Sequence, residues 1–280
     1  MIGQVERLAR LKKELDKSNS ETKNNIISIV SGKGGTGKSV LSLNLAYQLA
    51  LLKKKVLLVD LDINFSSIAL MLNILPEYTL GDYLLGKVLF DEIITPFRIN
   101  YDLILGDNGA EIPESDSREI VAPLFKKLNN ISENYDFILI DNGAGLNERI
   151  SYSLKQSSHI ISVSTTEPTA VMDSYVVLKH VIKNELSAER YAVINKASSL
   201  EEGKQAYNNL NEATIKFFSR KTELLGIVNN SSHFNRSIIN QTILSESHPE
   251  SHHVKQILNI AKKIAEFKQV ANNQQLKLRA

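Results

Sequence analysis

Short apolar runs rich in β-branched residues recur along the chain, and most are followed by a stretch with apolar positions three and four residues apart. The runs at 26–31, 55–60, 101–106, 135–141, 158–164, 189–195 and 224–228 are expected to be strands. The first of them, Ile26-Ile27-Ser28-Ile29-Val30, has the short, apolar, β-branched character of a parallel strand covered on both faces. The stretch from Val40 to Ala50 is expected to be a helix. Strands alternating with helices predict right-handed crossovers and a doubly wound, mostly parallel α/β sheet. Ahead of it, Val5, Leu8, Leu11 and Leu15 lie at helical spacing within 4–16, followed by a polar linker from Ser18 to Asn25. Behind it, Val254, Ile257, Leu258, Ala261, Ile264 and Ala265 share one helical face within 254–271. The expected division is a helix and linker over 1–22, a main domain over 23–253, and an amphipathic helix and tail over 254–280.

The first strand runs into Ser31-Gly32-Lys33-Gly34-Gly35-Thr36-Gly37-Lys38-Ser39, which satisfies the phosphate-loop pattern Gly-x4-Gly-Lys-Ser/Thr in the strand–loop–helix setting it needs. Glycines let main-chain N–H groups approach phosphate oxygens where a Cβ would intrude. The helix that follows adds free N–H donors and a partial positive charge. Lys38 is placed to reach the β- and γ-phosphates and the Ser39 hydroxyl to ligate Mg²⁺. A second lysine, Lys33, directly follows the first glycine.

Ligands of doubly wound sheets sit at the carboxyl ends of the strands. Three apolar runs end there in polar residues: Asp60-Leu61-Asp62, Asp141-Asn142-Gly143-Ala144-Gly145, and Asn195-Lys196. Any one alone could be a turn or cap residue, but together with the glycine loop they describe one site. If the strand continues past Asp60, Asp60 and Asp62 project from one face.

Composition narrows the classes. The chain has 280 residues, a net charge of +2 from 33 basic and 31 acidic side chains, and no cysteine. Disulfides, thiolate-bound zinc and iron–sulfur clusters are excluded, and no global field draws the chain to nucleic acid. No run approaches a membrane span and the amino terminus lacks a signal-peptide core, so a cytoplasmic protein is expected. His233, His248, His252 and His253 cluster late, but Pro249 interrupts the His248–His252 spacing and the histidines are expected to be solvated.

The loop Lys33–Ser39 resembles the deviant phosphate loop of the MinD/ParA ATPases, in which the extra lysine marks the group. Asp60-Leu61-Asp62 resembles the first switch of that family and Asp141–Gly145 its second, and the resemblance extends over roughly residues 24–245. It implies ATP and Mg²⁺ as cofactors and a homodimer when ATP is bound. Lys33 would reach the partner subunit's phosphates and Asp62 would position the attacking water. Gly32, Lys33, Gly34, Gly35, Thr36, Gly37, Lys38, Ser39 and Val40 would hold the nucleotide, with Glu167, Asn195, Val228, Asn229 and Arg236 around it, Asn195 reading adenine. Ser39, Asp62 and Asp141 would serve the metal, Asp141 from its second shell. Leu225–Asn229 followed by Phe234-Asn235-Arg236-Ser237 resembles the last strand and the loop that closes over adenine.

Within that family, Glu167-Pro168-Thr169-Ala170 and the Gly-Ala-Gly after Asp141 resemble the FlhG subgroup, which controls flagellar number and placement. Gln4 and Leu8 partly match the amino-terminal motif by which FlhG proteins stimulate the GTPase FlhF, so an FlhF-like partner is expected through residues 1–16, with flagellar C-ring and assembly proteins as further partners. MinD-like division control and ParA-like partition are the alternatives. Residues 254–271 have two readings: a helix packed on the domain, or an interfacial helix giving weak membrane association in the dimer.

Overall fold

The computed structural model describes residues 23–63, 66–107, 117–267 and 270–271; the expected helix at 4–16 and the tail at 272–280 lie outside them. The strands of the main sheet are β1 (Ile26–Ser31), β2 (Val56–Asp60), β3 (Thr95–Arg98), β4 (Tyr101–Ile104), β5 (Phe137–Ala144), β6 (His159–Ser164), β7 (Glu189–Ala197) and β8 (Glu223–Asn229). They lie in the order β3-β4-β2-β5-β1-β6-β7-β8, parallel throughout except for β3. Strand β1 sits between β5 and β6, where the connections change direction across the sheet, so the loop leaving it opens at the switch-point crevice.

Burial follows the sequence pattern. Every residue of β1, β2 and β6 is buried, as a strand covered by helices on both faces requires. Edge strand β3 was not expected from sequence. It pairs antiparallel with β4, alternates half-buried and exposed positions, and contains Pro96, a residue sheets tolerate at an edge.

Helices α1 (Lys38–Leu51), α2 (Ile68–Leu72), α3 (Leu80–Leu84), α4 (Ser117–Asn130), α5 (Glu148–Gln156), α6 (Pro168–Lys183), α7 (Leu200–Phe218), α8 (Ser232–Ile239), α9 (Leu244–Ser247) and α10 (His252–Ala265) cover the sheet. Helix α1 leaves the glycine loop with Leu41, Leu43, Leu45, Ala46, Leu49 and Ala50 buried in the core that also holds α10. Of the two readings of 254–271, the packed helix is the one observed. Val254, Ile257, Ile260, Ala261 and Ile264 on α10 are buried, the last four in the core that also holds α1, so the face expected to meet a membrane is not available to one. A Cβ on Gly226 would stand 2.5 Å from Ile260 Cγ1, which shows how closely the helix seats on β8. Burying five such side chains stabilises the docked helix by roughly 10 kcal/mol before entropy is counted. The chain beyond it is fixed by Phe267, whose ring stacks on His159 at 4.4 Å and on Tyr191 at 4.6 Å, and Val270–Ala271 pairs antiparallel with Lys23–Asn24.

Candidate nucleotide site

The loop after β1 folds as its glycines dictate. Gly35 and Gly37 take φ of 80° and 82°, a left-handed backbone that a side chain would strain. Gly37 is the N-cap of α1 and offers no side-chain cap, which leaves the first N–H groups of the helix to a ligand. Gly32 is required for space: a Cβ there would stand 2.3 Å from the Asp173 carbonyl carbon. Gly145 N–H donates to the Ser31 carbonyl at 2.9 Å and ties the second switch to the start of the loop.

Below the loop lies a buried charge pair. Lys38 Nζ is 2.9 Å from Asp141 Oδ1, with the two side chains 7% and 0% exposed. The Ser42 hydroxyl, one turn along α1 from Lys38, donates to the same oxygen at 2.8 Å. Asp141 Oδ2 is buried and has no hydrogen-bond partner. Ser39 Oγ lies 3.4 Å from Lys38 Nζ. A hydroxyl and carboxylates are the hard oxygen donors that Mg²⁺ accepts together with phosphate and water, and an orphaned carboxylate oxygen in this position suits a metal-bound water. Among the described residues no group of three or more His, Cys, Asp or Glu side chains could hold a metal by itself.

Strand β2 stops at Asp60, so Asp60 and Asp62 do not share a face. Asp60 turns inward, accepting from Ser66 Oγ at 2.7 Å and from the Asp62 N–H at 3.2 Å. Burial, with the Asp141 charge adding to it, raises its carboxyl to about 7. Asp62 is half-buried, and its carboxyl would lie in van der Waals contact, about 3.5 Å, with a Cβ at Gly143. Burial raises the Asp62 pKa, Lys38 and Arg149 oppose the shift, and Asp141 adds to it.

Lys33 is held within its own subunit. Its ammonium contacts Glu167 Oε2 at 2.5 Å and Thr169 Oγ1 at 3.1 Å, at the start of α6. Glu167 is thus engaged with the second lysine of the loop, and that contact lowers its pKa. Asn195 Nδ2 donates to the Thr36 carbonyl at 2.8 Å, and Lys196 Nζ to the Gly35 carbonyl at 2.7 Å.

On the far side, Val228 is wholly buried in the core. The Asn229 side chain is committed to the Ala197 carbonyl at 3.1 Å and to Gln256 at 2.6 Å. The expected loop carrying Arg236 is instead helix α8, capped by the Ser231 hydroxyl on the His233 N–H, with Arg236 exposed on it. The late histidines lie close together, the His233 ring 5.3 Å from His248 and 6.2 Å from His253; His248 and His252 are exposed as expected, and His233 and His253 are half-buried. Ser42 was missed in the sequence, although it lies four residues after Lys38 on the same helical face, and Thr169 and Lys196, which stand in the Glu167–Ala170 segment and at a strand end, were given no role of their own.

The AAA domain family matches residues 24–190, more than half of the chain. FleN of Pseudomonas aeruginosa, described as an antiactivator, is 26% identical over 81% of each chain. The flagellum site-determining protein YlxH of Helicobacter pylori is 29% identical over 80% of this chain and 76% of its own. The septum site-determining protein MinD of Pyrococcus horikoshii, solved with Mg-ADP, superposes with a TM-score of 0.72 at 25% identity over 86% of this chain and 96% of that one. The chain belongs to the MinD/ParA family of P-loop ATPases. It is an ATP-binding member of that family, most like the FlhG subgroup. Among the described residues no helix is long and apolar enough to cross a membrane.

Proposed function

We propose that this MinD/ParA ATPase is a dimerising, Mg²⁺-dependent switch that sets the number or position of flagella and partners an FlhF-like GTPase. The observation that supports the flagellar branch most is likeness to FleN and YlxH over about four fifths of the chain, together with Glu167-Pro168-Thr169-Ala170 beside the phosphate loop. MinD-like division control is the second reading, favoured by the superposition on MinD.

In the proposed mechanism the free N–H groups of the loop bind the α- and β-phosphates, Lys38 reaches the β- and γ-phosphates, and Asp62 orients the attacking water. Mg²⁺, held by Ser39 with Asp141 and Asp62 close to it, would neutralise developing charge on the phosphates. Lys33 rests on Glu167 and Thr169 in the single subunit. Transfer of that ammonium to a partner subunit's phosphates would supply the last positive charge only on assembly and so couple hydrolysis to dimerisation. Contacts to adenine would come from the surroundings of Asn195 and Arg236.

The deciding experiment measures the GTPase rate of an FlhF-like protein with the full chain and with a chain lacking residues 1–22. Stimulation lost on truncation is expected. No stimulation by either form would refute the FlhF partnership and return division control to the lead. Light scattering with ATP and with ADP tests dimerisation separately.

A further inference from the structure

Successive side chains of a strand point to opposite faces of its sheet, so neighbouring residues cannot both reach one loop from a regular strand. Asn195 and Lys196 do both reach the phosphate loop. The backbone explains how. The pairing of β7 with β8 slips between Ile194, opposite Ile227, and Ala197, opposite Asn229, so two residues of β7 stand against Val228 alone. At the slip Lys196 has φ of 57°, a left-handed conformation unusual for a residue with a side chain. Bulges of this kind re-aim side chains beside functional sites.

The result is a strut across the loop. The Lys196 ammonium holds the Gly35 carbonyl at 2.7 Å and the Asn195 amide holds the Thr36 carbonyl at 2.8 Å. Between them, a Cβ on Gly37 would stand 2.5 Å from Asn195 Nδ2 and 3.5 Å from Lys196 Cε, so both side chains lie against the glycine that caps α1. Gly35 and Gly37 are the two loop residues with positive φ, the positions where the peptide planes are freest to turn. A carbonyl held by Lys196 commits its peptide plane and with it the direction of the neighbouring N–H group.

We propose that Lys196 is a positioning residue for nucleotide binding: the ammonium carried on the β7 bulge locks the Gly35 carbonyl and pre-forms the cradle for the α- and β-phosphates. The proposal rests on the site being a nucleotide site. ADP and ATP carry the α- and β-phosphates alike, so the strut strengthens both equally and acts on KM rather than on kcat.

The test compares wild type with K196M, which keeps the stem and removes the ammonium, and K196R, which restores a cation. Dissociation constants for ADP and for ATP, KM and kcat, and the melting temperature without nucleotide are measured on the full chain. Loss of a hydrogen bond to a charged donor corresponds to about a tenfold rise in both dissociation constants, with recovery in K196R and the same rise in KM. Wild-type affinities in K196M would overturn the proposal. So would a loss confined to ATP, a fall in kcat without a rise in KM, or weakened binding matched by a lower melting temperature without nucleotide. Wild type that binds neither nucleotide would refute the nucleotide site itself, a result separable from all of these.

Discussion

The Lys38–Asp141 pair is a buried contact whose loss should destabilise the nucleotide-free protein. Its two side chains are 7% and 0% exposed and 2.9 Å apart, and Ser42 adds a second donor to the same oxygen. At an effective dielectric constant of about 20 the Coulomb attraction is roughly 6 kcal/mol, and desolvation of both ions offsets most of it. Breaking such a pair from one side costs about 3–5 kcal/mol, because the remaining charge stays buried without its partner. K38M is expected to fall in that range. D141N is expected at its low end, since the amide oxygen still accepts from the ammonium. In K38M/D141N no charge is stranded, so the double variant should be more stable than the sum of the single losses by about 2 kcal/mol. Urea denaturation without nucleotide measures all three, and the melting point of K38M should drop by roughly 6–15 °C. Additivity within about 0.5 kcal/mol would refute the pairing as the source of the effect.

Three other outcomes follow from the same geometry. D62A should bind ATP yet turn over about a hundredfold more slowly or worse, and steady-state turnover near wild type would remove its role in orienting water. G37A should abolish nucleotide binding measured by calorimetry, since its φ of 82° and the 2.5 Å approach of Asn195 Nδ2 both exclude a side chain; retained affinity would show that the loop rebuilds. Asp60, raised from an ordinary 3.8 to about 7 by burial, takes its proton more readily folded than unfolded. The stability this contributes is complete below about pH 4 and lost as pH rises through 7. Nucleotide-free protein should therefore resist urea better at pH 5.5 than at pH 8, and D60N should flatten that difference; an unchanged slope in D60N would assign the pH dependence elsewhere.

What could be read from the sequence depended on whether a residue's environment was set locally. The central strands were legible because burial on both faces leaves an apolar, β-branched run that needs no partner to be recognised. The glycine loop was legible because its backbone conformation is forced at Gly35 and Gly37 whatever surrounds it. Strand β3 was not, since a short half-exposed edge with Pro96 has the composition of a turn. Residues 254–271 show the limit most clearly. An amphipathic stripe states that one face avoids water and says nothing of what covers it. The choice between lipid and protein was made by Gly226, whose missing side chain lets Ile260 seat on β8, and by the rings of His159 and Tyr191 that hold Phe267. The site divides in the same way. Asp60, Asp62, Asp141 and Asn195 were found because each follows a recognisable strand. Which way each points was decided by backbone events that leave no mark in composition: β2 ending at Asp60 separates two aspartates that a longer strand would have aligned, and one extra residue in β7 brings a lysine to the loop that a regular strand would have turned away. Strand ends therefore locate the chemistry of this fold, and the irregularities at those ends assign its roles.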